Sequence, residues 1–393
     1  MAHVLIAGGG IGGLAAAIAV AHRGHRVTVL ERRDEFTELG AGIQLAPNAF
    51  AALDRLGAGA AVRDRAVFID ELRLMDGTTD EPINAMPLTD AYRTRFGNPY
   101  AVVHRTDLYQ PLLDACRALP GVTLRTGSGL AAYEQDGTSV EAVLTTGEHV
   151  AGDALLGADG IRSTVRQQLL GDGEPRVSGH TIYRSVIPMD RVPHELRSNA
   201  VTLWAGPKWH FVHYPISGGR YLNLAATRDD GATEAVAGQP AERAHVLAQF
   251  PELGTVAARL LRLGEDWKCW VLCDRDPVDV WVDGRVALVG DAAHPMLQYA
   301  AQGACMALED AVFLGDLLDC PADSIPRRLL RYNTARRDRT AKAQLVAREM
   351  GRQVYHPAGV AAKERNATIS AMSETDLYYT VDWLHGARDC VRV

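Results

Sequence analysis

The stretch that decides the fold is His3-Val-Leu-Ile-Ala7, then Gly8-Gly-Gly10-Ile-Gly-Gly13, then Leu14 to Arg23, Gly24, and Arg26-Val-Thr-Val-Leu30-Glu31. His3 to Ala7 is nearly all apolar, as a parallel strand buried on both faces reads. The alanine-rich run after Gly13 predicts a helix, which Gly24 ends, and Arg26 to Leu30 predicts a second strand. Strand, tight turn, helix and strand therefore make a βαβ unit. Gly8, Gly10 and Gly13 satisfy G-x-G-x-x-G, and an acid, Glu31, closes the next strand. Each glycine has a mechanical role: Gly8 for the turn, Gly10 for backbone approach to a pyrophosphate, Gly13 for close helix packing. The helix start offers unpaired N–H groups and a positive dipole end to phosphate. Glu31 can accept from the hydroxyls of an adenosine ribose. A bound dinucleotide is the expectation.

Such a unit serves NAD and FAD alike, so the choice rests on features farther along. Gly40-Ala41-Gly42-Ile43 is a second glycine loop where a plain dehydrogenase would continue its βαβ pattern. Asp159-Gly160-x-x-Ser163-x-x-Arg166 joins a strand end to a helix start. Gly290-Asp291-Ala-Ala-His294-Pro295 does the same, with Asp291 able to reach a ribityl hydroxyl.

Taken together, these motifs resemble the class A flavoprotein monooxygenases, the single-chain aromatic hydroxylases, over nearly the whole chain. The resemblance implies a resident FAD, held by Gly8, Gly10, Gly13, Glu31, Gly42, Arg105, Asp159, Asp291 and Gly303. Arg105, in His104-Arg-Thr-Asp-Leu108, matches the family's FAD-contacting arginine. It also implies NADH or NADPH as a transient reductant docking without a second Rossmann unit, and no second G-x-G-x-x-G occurs. Glu31 faces the FAD ribose and says nothing about which nucleotide is used. Dioxygen, activated as a flavin hydroperoxide, would hydroxylate a small aromatic acid.

The implied fold is α/β: a Rossmann-type FAD-binding domain with a parallel sheet, interleaved with a β-rich substrate domain, then C-terminal helices. FAD-binding parts are expected at 1–70, 101–178 and 276–345. Substrate-domain segments are expected at 71–100 and 179–275, and a helical, aromatic tail at 346–393. Strands are expected in TIYRSVIP, AVTLWAG, HFVHYPISGG and RYLNLAAT, and a long amphipathic helix near Gly303 to Leu318.

Composition excludes several classes. The chain has 393 residues, 47% hydrophobic and 23% charged, which excludes a disordered or collagen-like protein. Its formal charge of −7, without a long basic run, argues against a nucleic-acid partner. No apolar stretch approaches the ~20 residues of a membrane span, and no leader peptide is read at the start. The cysteines at 116, 269, 273, 305, 320 and 390 form no metal ladder. Free thiols, with Cys269 and Cys273 buried, and a reducing cytoplasm are expected, with the chain a monomer or homodimer.

Hydroxylation needs a polar group at the phenol oxygen, donors at any carboxylate, and a closed apolar space over the flavin. Trp209-His-Phe-Val-His-Tyr214 offers two histidines on a strand, with His210 and Tyr214 on one face and His213 on the other. A histidine suits proton exchange with a phenol near neutral pH. Among the family, Gly206-Pro207, His210-Phe211, Tyr214-Pro215, the run from Asp274 to Gln298-Tyr299, and Tyr379-Thr380 with Trp383-Leu384 are most similar to 3-hydroxybenzoate 6-hydroxylases. By that resemblance His210, Gln298 and Tyr214 are the catalytic set, Tyr100, Pro295 and Gln302 line the substrate pocket, and no metal takes part. The product would be gentisate. Met296, Gln302 and Cys305 are closer to decarboxylating hydroxylases of salicylate or 6-hydroxynicotinate, so regiochemistry stays open. A flavin-binding reductase, or a cofactor-binding protein without oxygenase activity, is the alternative from another class.

Overall fold

The computed structural model describes residues 1–38 and 40–386; Cys390 lies outside them. The opening unit folds as read: strand His3–Ala7, helix Ile11–Ala21 and strand Arg26–Leu30, the strands parallel from His3↔Arg26 to Ala7↔Leu30. Ala154–Gly157 pairs on the other side of His3–Ala7, also parallel, and Val286–Leu288 pairs parallel with Ala154–Gly157. Val122–Arg125 and the short antiparallel strand Val282–Asp283 form the edges of this six-stranded sheet. Strands His3–Ala7, Ala154–Gly157 and Val286–Leu288 are thus neighbours, although they lie far apart in sequence. Their carboxyl ends run into Gly8, Asp159-Gly160 and Gly290-Asp291. Ligands of open α/β sheets bind at that end.

The strands read as unbroken apolar runs because helices and a three-stranded meander cover the sheet. The meander pairs Leu130–Gln135, Val140–Leu144 and His149–Gly152, the last two joined by a hairpin through Gly147. Helix Gly303–Leu317 departs from its expected amphipathic character: Cys305 to Gly315 are buried without a break. It packs against Ile11–Ala21, Pro47–Arg55 and the long helix Ile325–Glu349. Covered on every side, it is apolar nearly all round.

A second sheet has eight strands, in the order Gln239–Pro240, Lys268–Asp274, Arg176–Pro188, Tyr221–Asp229, Trp209–Ile216, Ala200–Gly206, Glu71–Asp76 and Pro82–Pro87. The expected strands are all present, and residues 71–87 add two strands to this sheet. Helices Arg243–Ala248 and Thr255–Arg262 were not expected. They close one face over a core that includes Trp204, Trp209, Phe211 and Trp267. The second helix does carry a 3.6-residue apolar signal at Ala257, Leu260 and Leu261. Gly42–Leu45, Ala101–His104 and Val67–Phe68 form a separate small sheet, with Ala101–His104 in the middle.

After Ile325–Glu349 the chain makes a π-helical turn, Met350–Tyr355, and helices Gly359–Ser370 and Glu374–His385. Cys116, Cys269, Cys273, Cys305 and Cys320 are free thiols. Cys269 and Cys273 are half-buried rather than buried, because their strand Lys268–Asp274 lies near the sheet edge. Among the described residues no helix is long and apolar enough to cross a membrane, and no metal-binding cluster occurs.

Candidate active site

The first glycine loop has the shape its spacing requires. Gly8 holds φ at +105°, and a Cβ there would overlap the Ala158 carbonyl. A Cβ on Gly13 would overlap the carbonyl of Gly8. At Gly10 a Cβ would meet no protein atom within 4 Å, so that position faces open space. Gly10 is also the N-cap of helix Ile11–Ala21, which has neither a side-chain cap nor an acid in its first turn. The helix start therefore keeps unpaired N–H donors. Beside it Glu31 accepts from the Gly9 N–H at 2.8 Å and the Arg33 N–H at 3.0 Å. Each carboxylate oxygen retains a free lone pair for a hydroxyl.

The Asp159 carboxylate, expected on the cofactor, is bonded to the start of helix Thr164–Leu170. It accepts from the Ser163 hydroxyl, from the Thr164 N–H at 2.8 Å and from the Val165 N–H at 3.3 Å. Burial raises its pKa above the ordinary carboxylate value. What this loop presents toward Gly8 is backbone. Arg166 then links the second motif to the third: its guanidinium donates to the carbonyls of Ala292 and Ala293 at 2.9 and 2.7 Å, and to Asp172 at 2.6 Å.

The Gly290-Asp291 loop is held from beneath by a buried charge network. The Asp310 carboxylate accepts from the Gly290 N–H at 3.1 Å and bonds His294 Nε2 at 2.6 Å. Arg336 donates to Asp310 at 2.7 Å and to Glu309 at 2.6 Å, and Arg339 adds a bond to Glu309 at 2.7 Å. Arg336 and Arg339 hold the Glu309 carboxyl, and His294 with Arg336 the Asp310 carboxyl, below their ordinary pKa values in spite of burial. Asn48 bridges Glu309 and Gln302, at 2.7 and 3.0 Å. Gln302 therefore turns toward helix Pro47–Arg55, with its Nε2 buried and unpaired. Asp291 is exposed, and its Oδ1 lies 3.8 Å from where a Gly303 Cβ would sit, at the start of helix Gly303–Leu317.

The second glycine loop meets the eight-stranded sheet. The Gly42 N–H donates to Asn223 Oδ1 at 2.9 Å, and a Cβ on Gly42 would overlap the Tyr214 ring. Glycine is required there because the tyrosine lies directly on the loop. Arg105 begins helix Arg105–Ala118, and its Nε stands 2.6 Å from Glu38.

Register sorts the side chains of the large sheet. His210 pairs with Thr227, Val212 with Ala225, Tyr214 with Asn223, and Arg184 also with Ala225. His210, Tyr214, Asn223 and Arg184 thus share the face away from the Trp204–Trp209–Phe211 core. His213 lies on the opposite face against Trp204 and Phe211, where burial pulls its pKa down to about 3. His210 is 2% exposed, packs near Tyr299 and Tyr355, and shares a 2.8 Å hydrogen bond between its Nδ1 and His356 Nε2. Burial, with His356 and His180 nearby, keeps the ring neutral. Tyr214 is buried and its phenol is pushed up to about 12.

Gln298 accepts through Oε1 from the Arg184 guanidinium. Tyr100 is buried and donates to Gln44 at 2.7 Å, within electrostatic reach of Tyr214 and Tyr355. Pro295 is buried, with its carbonyl accepting from Gln344 at 3.1 Å. Sequence reasoning missed Asn223, Arg184 and His356. Arg184 had a signal: it is a lone charge in the apolar alternation of Thr181 to Pro188, on the parity of Ile182 and Val186. His356 had none, because the π-helical turn before it sets its direction, and such turns are frequent at functional sites.

The arrangement fits an FAD. An uncapped helix end stands over open space at Gly10, Glu31 stands at the first strand pair, Asp291 is exposed near Gly303, and Gln302 has a spare buried donor. Comparison with known proteins agrees. A family model described as FAD binding domain matches residues 1–347. 3-Hydroxybenzoate 6-hydroxylase 1 of Aquipseudomonas alcaligenes is 49% identical over 98% of this chain and 97% of its own length. The 3-hydroxybenzoate 6-hydroxylase of Klebsiella oxytoca is 42% identical over 98% and 97%. A solved salicylate hydroxylase substrate complex superposes with a TM-score of 0.84 at 26% identity, covering 100% of this chain and 98% of that one. On these grounds the chain belongs to the family of FAD-dependent aromatic monooxygenases.

Proposed function

We propose that this enzyme hydroxylates 3-hydroxybenzoate at the ring carbon para to its hydroxyl, forming gentisate, with NADH or NADPH docking transiently as reductant. The observation that carries the reading is the neutral His210, paired with His356, on one sheet face with Tyr214 and the Arg184–Gln298 pair. The 3-hydroxybenzoate 6-hydroxylases aligned above support the choice of substrate. FAD, when bound by the three strand-end loops, supplies the redox and oxygen chemistry.

The side chains then have distinct tasks. For His210 to act as base, the proton shared with His356 sits on Nδ1, which leaves Nε2 free to take the phenol proton. Deprotonation raises electron density at the ring carbons ortho and para to the oxygen. Gln298, with its carbonyl bonded to Arg184, can offer a ligand its amide N–H groups. Tyr214 stays protonated near neutral pH and can donate. Leu203, Met296, Leu297, Tyr299 and Tyr355 form an apolar cluster that helps exclude water. Free thiols fit a cytoplasmic enzyme.

The test is a panel of monohydroxybenzoates scored by oxygen uptake, NAD(P)H oxidation and product identity. Gentisate from 3-hydroxybenzoate without carbon dioxide is expected. The likeness to the salicylate hydroxylase complex favours a decarboxylating hydroxylation as second reading, and carbon dioxide release from salicylate would establish it instead. Bound flavin without any aromatic-stimulated oxygen uptake would overturn both.

A further inference from the structure

Arg184 differs from several other enclosed arginines. Arg166, Arg336 and Arg348 each meet a carboxylate at 2.6 Å, and Arg285 donates to the carbonyls of Gly137, Asp153 and Ala322. For Arg184, no carboxylate of the described residues lies within ion-pairing distance. Its partners are the Gln298 carbonyl and the Trp270 ring, whose centroid is 5.9 Å from the guanidinium carbon. The charged neighbour that reaches it is a second cation, Arg105; burial and that cation together lower its pKa. A planar five-donor group is held here in low dielectric without a counter-ion. Such a site costs free energy until an anion fills it.

Its position says which anion. Arg184 and Val212 both pair with Ala225, so the arginine stands in the row that passes between His210 and Tyr214. Ala225, between them, is small and leaves the row open. Although enclosed, Arg184 retains accessible surface, as a side chain lining a cavity does. Gln298 has its carbonyl turned to Arg184, which leaves its amide N–H groups pointing elsewhere. The corner therefore offers a guanidinium and an amide as donors, two strands from the histidine assigned to the phenol. We infer that Arg184 anchors the carboxylate of the aromatic substrate, with Gln298 as second donor, and so selects aromatic acids over their neutral analogues. This inference rests on the hydroxylase reading above.

The experiment is a titration of the FAD-loaded enzyme, read by perturbation of the flavin absorbance. Each monohydroxybenzoate is paired with its hydroxybenzamide, which lacks the anion. In the wild type the preferred acid should bind at least about tenfold tighter than its amide; equal binding would overturn the inference without any variant. In R184Q the acid should weaken by roughly 30-fold while the amide changes by less than about threefold. R184K, which keeps the charge but not the fork, should recover part of the loss. Acid binding unchanged in R184Q, or acid and amide weakened alike, overturns the assignment. Should R184Q lose its flavin, R184K decides: acid weakened with amide intact supports the anchor, and any other pattern refutes it. If 3-hydroxybenzoate is not the substrate, the function proposed above falls, while the acid-over-amide preference is still read on whichever isomer binds.

Discussion

His210 Nδ1 and His356 Nε2 share a 2.8 Å hydrogen bond, joining the large sheet to the end of a π-helical turn 146 residues later. The imidazoles stack with centroids 5.0 Å apart, and His180 stands 5.0 Å from His356. The pair fixes which nitrogen of His210 remains available as a base. His356→Ala should leave FAD bound and lower kcat by at least about tenfold, with KM changed less. For His210→Ala the loss should be larger, toward the ~10²-fold of a removed general base. Oxygen uptake with peroxide measured in parallel checks both, because uncoupled peroxide should rise. Unchanged coupling in both variants would remove the histidines from the mechanism.

Two glycines of one motif should fail differently. A side chain at Gly10 meets no protein, so Gly10→Val is expected to fold and to lose its FAD. One at Gly13 overlaps the Gly8 carbonyl, so Gly13→Ala is expected to disturb the fold itself. Flavin content beside far-ultraviolet circular dichroism separates the two outcomes. Stoichiometric flavin in Gly10→Val would refute the phosphate-loop assignment.

Stability should fall in mild acid. Burial lowers the pKa values of His213, His356 and His385 to about 3, against an ordinary value of 6.5. Below about pH 6.5 the unfolded chain binds protons at these rings that the folded chain does not. The slope is at most ~1.4 kcal/mol per pH unit for each ring. Denaturant midpoints between pH 7.5 and 5 should therefore decrease, and His213→Asn should flatten the dependence. A flat profile in the unsubstituted protein would contradict the burial of these neutral rings.

Arg336 balances two carboxylates that are wholly buried with it. Arg336→Met removes the cation and leaves both acids inside, at a cost of about 3–5 kcal/mol. Because Asp310 accepts from the Gly290 N–H, FAD affinity should weaken in the same variant. Chemical denaturation and flavin release, followed together, test the coupling. Lowered stability with unaltered FAD affinity would confine the network to a packing role.

The Rossmann unit was legible in the sequence because its constraints are local: turn glycines, strand and helix periodicity, and an acid one strand later. The remote loops at Gly42 and Gly290 were legible by resemblance, and Gly42 has its glycine for a reason that only packing reveals, the Tyr214 ring lying on it. Strand parity sufficed to separate His210 from His213, since a period of two needs no tertiary information. The sequence could not show that Asp159 spends its carboxylate on a helix cap, or that helix Gly303–Leu317 is enclosed on every side. It could not show Arg184 without a counter-ion, or His356 against His210. Those facts depend on which surfaces meet after the sheets assemble. By itself, then, the sequence determined the cofactor's cradle and the class of chemistry. Tertiary structure decided which side chains share a face and a partner with His210, because burial and pairing between residues more than a hundred positions apart have no local signature.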